Sequence, residues 1–396
     1  MTEQPRPKVV VLRGHLTNPW DLQSWQHLRS RFDVVSPVTR SNMFDVSRLP
    51  VEQVKIRAFR DFLPPGPVGD IMAGLTGDRY LNLDRALVGA DIVHAAELSF
   101  WFAGEAARLK KRHGYKLVLT VWETLPLLST FRNRWARVYR ERVLEAGDLF
   151  LAATERARDA LLLEGVEPER IEVSYPGIDL ERFGAVQRSE SLEEYVLISP
   201  GRLVWEKGHQ DVMRAVAALR RGIVEAPAGV EPRILLVGSG PERRRLGAYA
   251  EELGLGGDVE FRSVSYDEMP ALYARASCMI LASLSNAGGT RYLGDLPHFF
   301  WEEQFGLVLA EAMAAGLPIV ASSSGAIPEV MGPWGTYFVP GDWMGLARKL
   351  AEGPLARPAG ERVSHPEEFV RRYSTEAASQ RLAAIYDRLL AAKAPS

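Results

Sequence analysis

The sequence holds a single cysteine, Cys278. No intrachain disulfide can form. The thiol lies in the apolar run Cys278-Met279-Ile280-Leu281-Ala282, where a buried structural role is expected rather than a nucleophilic one. No stretch approaches about 18 uninterrupted apolar residues, so nothing reads as a membrane span. The first residues, MTEQPRPK, lack an apolar core, and no signal peptide is expected. An excess of one charge is also missing: 48 Lys and Arg against 50 Asp and Glu leave a formal net charge of −2. No global field therefore draws the chain to nucleic acid. No compact Asp-x-Asp cluster is present; Asp45, Asp61, Asp78, Asp84 and Asp91 are scattered. The first apolar run, Lys8 to Leu12, leads into Arg13-Gly14-His15 and not into the G-x-G-x-x-G turn of a dinucleotide-binding dehydrogenase. No repeat or low-complexity segment stands out. The expectation is a cytoplasmic protein, and the scattered aspartates are compatible with a metal-free site.

What is present alternates strand and helix. The chain has 396 residues and is 46% hydrophobic, too long for one core and apolar enough for two. Lys8 to Leu12, Leu117 to Val121, Leu149 to Ala152 and Tyr195 to Ile198 read as buried strands. The stretch from Arg182 to Glu194 is polar and unpatterned. It marks a domain boundary, giving an N-terminal domain over 1–186 and a C-terminal domain over 187–374. The tail from Glu367 to Ala392 reads as helix, with Phe369, Tyr373, Leu382, Ile385, Tyr386 and Leu389 as its apolar stripe.

The most informative segment is WEEQFGLVLAEAMAAG. Its pattern predicts a helix starting near Gly306, with Glu303 in the loop before it and Glu311 in its second turn. Eight helical residues span roughly 12 Å, about the length of a diphosphate carrying a sugar at one end and a ribose at the other. The helix N-terminus between the two carboxylates offers unpaired N–H groups to an anion. Two solvated carboxylates on an amphipathic helix are the plainer alternative. Upstream, Gly201-Arg202 and Lys207-Gly208 fall on a strand-to-helix connection, where open α/β sheets bind ligands. Two permanent cations there suit a diphosphate. Gly238 and Gly240 form a second such turn.

Together these stretches resemble the nucleotide-sugar domain of glycosyltransferase family 4. The matching residues run in order: Gly201-Arg202-Leu203 with Glu206-Lys207-Gly208, Val237 to Glu242, Val259-Glu260-Phe261, Glu303 to Glu311, and Gly325-Ala326-Ile327-Pro328-Glu329. Asp91 to His94, Thr154-Glu155-Arg156 and Pro176-Gly177-Ile178-Asp179 resemble the family more faintly. The resemblance implies the GT-B fold, two Rossmann-like, doubly wound parallel-sheet domains facing a central cleft. It implies that the terminal helix, about 375–396, packs back on the N-terminal domain. It also implies retaining transfer of a hexosyl unit from a UDP- or GDP-sugar to a hydroxyl acceptor, with no obligatory metal and no cofactor beyond the nucleotide-sugar co-substrate. Catalysis would rest on Glu303, Arg202 and Lys207. Donor contacts would come from Gly201, Gly238, Arg262, Val264, Glu303, Gln304, Phe305, Gly306, Leu307 and Glu311. Two other classes stay open: a non-catalytic nucleotide-sugar sensor and a GT-B-like sugar-nucleotide epimerase.

The acceptor side is less legible. Many relatives carry a histidine after the strand that here ends at Val121; this chain has Trp122, then Glu123. Gly14, His15, His94, Trp122 and Glu123 are the acceptor-side candidates, with His15 and His94 equally readable as structural histidines. The insertion from Ser283 to Trp301 contains Gly288-Gly289, Thr290-Arg291 and an apolar group of Leu296, Phe299, Phe300 and Trp301. That group either packs on the domain or lines a lid. A basic segment holds Arg132, Arg134, Arg137, Arg140 and Arg142 among Trp135, Val138, Tyr139 and Val143. It reads as a solvated helix over a core, or as a weak peripheral contact with the inner membrane face.

Overall fold

The computed structural model describes residues 5–76, 78–128, 134–185, 194–285, 292–293, 296–297 and 301–392. Contacts divide the chain into two compact units, 1–178 with 372–396, and 179–371. In chain order the strands are β1 Lys8–Val11, β2 Asp33–Val38, β3 Glu52–Lys55, β4 Ile92–Ala96, β5 Lys116–Val121, β6 Leu149–Ala152, β7 Ile171–Val173, β8 Val196–Pro200, β9 Arg233–Val237, β10 Val259–Arg262, β11 Cys278–Leu281, β12 Tyr292–Leu293, β13 Leu296–Pro297, β14 Ile319–Ser322 and β15 Thr336–Phe338.

The first unit holds a seven-stranded sheet in the order β3-β2-β1-β4-β5-β6-β7, parallel throughout. The second holds a six-stranded sheet in the order β10-β9-β8-β11-β14-β15, also parallel. In each, the chain winds outward from a central strand, then returns to wind the other way. The order therefore reverses between β1 and β4 in one sheet, and between β8 and β11 in the other. Loops leaving neighbouring strand ends diverge at such a point and open a crevice beyond the carboxyl ends. The expected doubly wound pair of sheets is present.

The strands read as continuous apolar runs because both faces of each sheet are covered. In β1 the alternation is explicit. Val9 and Val11 face a core with Trp25, Phe32 and Tyr386, while Val10 and Leu12 face another with Leu87, Phe102 and Tyr115. In the second unit Leu197, Ile234, Leu236, Ile280 and Val320 share one core with Cys278, whose thiol is fully buried. The basic segment is the helix Arg134–Ala146, which buries Ala136, Tyr139 and Val143. Its Tyr139 packs so closely on the helix Trp101–His113 that a methyl group on Gly104 would lie 2.5 Å from that ring. The helix thus covers the core, with Arg134, Arg137 and Arg142 exposed and Arg140 turned in to pair with Glu164; Arg132 lies outside the described residues. Among the described residues no helix is long and apolar enough to cross a membrane.

Two stretches differ from the sequence reading. The tail is not one helix. A short helix, Glu367–Arg371, stops, and a second one, Thr375–Ala391, restarts with the Ser374 side chain accepting from the Ala377 N–H. Between them the Ile178 N–H donates to the Tyr373 carbonyl at 2.8 Å, which draws the chain into an extended bridge. The polar stretch after Arg182 begins inside a helix, Leu180–Gly184, capped by Asp179. One turn is too short to show a period, yet it buries Phe183 edge-on against Tyr266 and Tyr273. Residues 186–193 lie outside the described residues.

The restarted helix packs into the core of the first unit through Leu382, Ile385 and Tyr386, and Tyr386 also sits in a buried chain of hydrogen bonds. Trp25 Nε1–H donates to the Tyr386 hydroxyl at 2.8 Å, and that hydroxyl meets His94 Nδ1 at 2.6 Å. The other ring nitrogen, His94 Nε2, meets Thr120 Oγ1 at 2.6 Å. Replacing Tyr386 by Phe strands two buried polar groups. It should lower stability by about 1–3 kcal/mol, seen as a reduced urea midpoint at unchanged slope. An unchanged midpoint would show that the chain of bonds does not hold the helix down.

Candidate active site

At the reversal point of the second sheet, β8 runs out into Gly201-Arg202 and β11 into Ala282-Ser283. The loop after β8 makes a tight turn, Trp205–Lys207, ended by Gly208 at φ +69°. A β-carbon on Gly208 would stand 1.9 Å from the Ala282 carbonyl, so only glycine lets the loop lie against the end of β11. That close approach brings Lys207 beside Ser283. Between them sits Glu303, 6% exposed. Lys207 Nζ and Ser283 Oγ both donate to Glu303 Oε2, each at 2.6 Å. Lys207 Nζ also stands 5.0 Å from the centre of the Trp301 ring. Both donors converge on one oxygen, which leaves Oε1 without a hydrogen-bond donor among the described residues.

The backbone of Glu303 is fixed from the other side. Its N–H donates to Ser324 Oγ at 3.2 Å, and the Ala326 N–H donates to its carbonyl at 2.8 Å. Gly325 lies between, at φ +52°, where a β-carbon would be 2.1 Å from the same carbonyl. The Gly325-Ala326 motif therefore serves as a clamp on Glu303.

Three residues on, Gly306 at φ +79° opens the helix Leu307–Ala314, and no side chain caps its N-terminus. Gln304 and Phe305 form the link, with Phe305 buried. Glu311 leaves the second turn, as its spacing predicts, but it is enclosed. The Tyr273 hydroxyl donates to Glu311 Oε2 at 3.0 Å. Burial pushes its carboxyl up to about 7, against the opposing pull of bonds from Tyr273 and Tyr266 and the positive charge of Arg182.

The remaining donor-side residues form one backbone shelf across three strand ends. The Gly201 N–H donates to the Val237 carbonyl at 2.9 Å, and the Gly238 N–H to the Arg262 carbonyl at 2.8 Å. Val264 follows two residues after β10 ends. Arg202 points to solvent and reaches Glu206 at 3.8 Å. The two expected cations are thus in different states: Lys207 is already paired with Glu303, and Arg202 is exposed. Sequence reasoning missed His209, which is buried and steadies this loop. Its ring nitrogens meet Ser199 Oγ and the Arg202 carbonyl, each at 3.1 Å. Burial lowers its pKa to about 4, with help from the charge of Lys207 and opposition from the Arg202 carbonyl. Tyr273 and Ser324 were missed too, and no local pattern marks them.

The acceptor-side candidates belong to the first unit, and Gly14 and His15 share one aromatic surrounding with Tyr80 and Trp101. The Gly14 N–H donates to the Tyr80 hydroxyl at 3.0 Å. The His15 ring lies parallel to Trp101 at 6.5 Å, with Nδ1 buried and unpartnered. Glu123 Oε1 accepts from the N–H groups of Thr124 and Leu125, both at 3.1 Å, a turn-closing contact. The Trp122 N–H donates to Glu97 Oε1 at 2.8 Å. Glu97 ends β4 with φ +62°, unusual for a residue with a side chain. His94 needs correction as an acceptor contact: it is fully buried, both nitrogens are engaged inside the unit, and burial with the charge of Arg13 keeps it neutral. Of the insertion, Tyr292–Leu293 and Leu296–Pro297 pair antiparallel. Gly288, Gly289, Thr290, Arg291, Phe299, Phe300 and the Leu296 side chain lie outside the described residues. Among the described residues no three His, Cys, Asp or Glu side chains are grouped as a metal site needs.

Residues 185–353 match the family described as Glycosyl transferases group 1, and residues 26–182 match Glycosyltransferase Family 4. A D-inositol 3-phosphate glycosyltransferase of Salinispora tropica is 30% identical over 333 residues, covering 74% of this chain and 62% of that one. A GDP-mannose-dependent alpha-(1-6)-phosphatidylinositol monomannoside mannosyltransferase of Mycobacterium tuberculosis is 26% identical over 238 residues, 58% of this chain and 55% of that one. The chain spans about 60% of the length of the curated relatives it matches. Among solved structures, Anabaena HepE in complex with UDP and glucose superposes with a TM-score of 0.69 at 18% identity, covering 97% of this chain and 100% of that one. At that identity the likeness shows the fold.

The Lys207–Glu303 pair is largely buried, with side chains 14% and 8% exposed. Removing one partner of such a pair leaves an uncompensated charge. Lys207→Met should therefore cost about 3 kcal/mol of stability, while Lys207→Met with Glu303→Gln should recover most of it. Additive effects in this double-mutant cycle, measured by denaturant unfolding, would contradict the pairing.

Proposed function

The chain belongs to the group 1, family 4 glycosyltransferases, and from that premise we propose that it moves a hexosyl unit from a UDP- or GDP-sugar to a hydroxyl acceptor, with retention of configuration and without an obligatory metal. The observation that carries this reading is the single unengaged oxygen of Glu303. Its partner oxygen is held by Lys207 and Ser283, and its backbone is held by Ser324 and Ala326. A carboxylate so fixed is prepared to accept hydrogen bonds from sugar hydroxyls. The helix beginning at Leu307 starts four residues beyond it and offers its open N-terminus to an anion. The names of the relatives, a GDP-mannose-dependent enzyme among them, and the UDP bound to HepE support a nucleotide-sugar donor.

In this reading the donor diphosphate rests at the helix N-terminus and meets Arg202, whose exposed side chain is free to swing onto it. Gly238, Arg262 and Val264 supply backbone to the base, and Glu311 lies on the ribose side. The bond from the sugar C1 to the phosphate oxygen breaks as the acceptor oxygen bonds to C1 on the same face, and the departing phosphate takes the acceptor proton. Negative charge grows on that phosphate, so a preorganised cation and helix dipole act where they are worth most. Lys207 contributes less as a free charge than as the group that holds the Glu303 carboxylate aimed.

Transfer from a UDP- or GDP-sugar to acceptors in a cell extract, followed by mass spectrometry and by NMR of the anomeric proton, tests the proposal. Activity should survive excess EDTA, and the product should keep the donor's configuration. Loss of turnover in EDTA that magnesium or manganese restores would overturn the metal-free reading, and an inverted product would overturn the mechanism.

A further inference from the structure

The first sheet has its own reversal point, between β1 and β4, and a crevice near it holds charges that the reaction above leaves unused. Arg13 follows β1 and is 5% exposed. Its Nη1 donates to the Leu12 carbonyl at 3.0 Å and reaches the His94 carbonyl at 3.5 Å, and the guanidinium stands 5.2 Å from the centre of the Trp25 ring. Nε and Nη2 have no acceptor among the described residues, although a guanidinium carries five N–H donors. Asp21, half-buried, accepts from Asn18 Nδ2 at 2.8 Å through Oδ2. Loss of surrounding water raises the pKa of its carboxyl, and the charge of Arg13 pulls it back. Each residue feels the other's charge, yet no ion pair joins them.

Both line one crevice, together with Thr120, Trp122, Ser174 and Tyr175. Its enclosed volume is about 20 Å³, room for one group the size of a water molecule. A full sugar ring does not fit inside, but one hydroxyl does, with the ring outside against half-buried Trp122 and Tyr175. The charges are balanced. A phosphate or carboxylate entering here would meet Asp21, and an ammonium would meet Arg13. A hydroxyl suits both, accepting from the one and donating to the other, and the aromatic walls suit the C–H face of a sugar.

We propose that this crevice is a subsite for one hydroxyl of a neutral sugar or polyol, with Arg13 donating to its oxygen and Asp21 accepting its proton. The inference rests on the glycosyl-transfer reading and deepens it: the end of the acceptor recognised here is an uncharged carbohydrate. Trp122, standing where many relatives carry a histidine, is then part of the crevice wall.

Trp25 and Trp122 give the crevice a fluorescence signal. Wild-type protein titrated with neutral probes (myo-inositol, glucose, mannose and glycerol) should respond to at least one of them, and more weakly or not at all to glucose 6-phosphate and inorganic phosphate. Asp21→Asn should weaken the neutral probe at least tenfold and, by leaving Arg13 unbalanced, strengthen inorganic phosphate. A residue with a merely structural role would not reverse that preference. Arg13→Met should abolish both responses; if it fails to fold, Asp21→Asn and the wild-type comparison still decide. No response to any neutral probe, as for a crevice that holds only water, would overturn the proposal, as would a preference for phosphate in the wild type. Calorimetry with UDP and GDP keeps the two readings apart. Nucleotide binding without a polyol response defeats this inference alone, whereas absence of nucleotide binding defeats the donor reading beneath it.

Discussion

A carboxylate buried at the end of a parallel sheet is costly unless it is paired and hydrogen-bonded, and the second unit is organised around meeting that demand. Glu303 needs Lys207 and Ser283 on one oxygen. Lys207 reaches it because Gly208 allows its loop to press on the end of β11. Ser283 is there because β11 ends at Leu281. The Gly325 turn closes on the Glu303 backbone from behind. In the proposed reaction each contact also has a use, because a carboxylate that is free to rotate cannot select one set of sugar hydroxyls. The pair is better understood as fixing geometry than as adding stability, since ion pairs of this burial rarely exceed an apolar pair in net worth.

The two units solve the same problem differently. Both place their chemistry where strand order reverses. In the second unit the reversal point carries an ion pair in direct contact. In the first it carries Arg13 and Asp21, which share a crevice without touching. Separation keeps donor and acceptor capacity unspent, as a site for a hydroxyl requires. The buried chain from Trp25 through Tyr386 to His94 and Thr120 runs behind that crevice and fixes its wall.

Much of this was legible in the sequence, for identifiable reasons. Strands buried on both faces read as apolar runs, and Leu149 to Ala152 came through without shift. Gly306 followed by an apolar period marked a helix start, so the placing of Glu303 before it and Glu311 in its second turn followed from counting. The rest depended on distance in space. Nothing near Ser283 or Tyr273 says that one will bind Glu303 and the other Glu311. His94 sat at a strand end like a site residue, but its partner Tyr386 is 292 positions away. The break in the tail escaped notice because the apolar stripe continues across it, whereas a capping serine and a two-residue bridge decide where the helix starts. Phe183 was hidden in a helix of five residues, too short to show a period.

The central claim is that Glu303 serves the sugar and Glu311 the nucleoside. It is tested most directly by calorimetry of nucleoside diphosphate and intact nucleotide-sugar binding, from about pH 6 to 8, in wild type, Glu303→Gln and Glu311→Gln. Burial raises the Glu311 carboxyl to about 7, and its ionised form is the stronger acceptor for ribose hydroxyls. Wild-type affinity for the bare diphosphate should therefore rise with pH through that value more steeply than the diphosphate's own ionisation explains, and Glu311→Gln should remove the excess. Glu303→Gln should bind the bare diphosphate as wild type does and lose affinity only for the intact donor. If Glu303→Gln instead weakened the bare diphosphate and Glu311→Gln left its pH dependence untouched, the donor would lie the other way round and the account would be wrong.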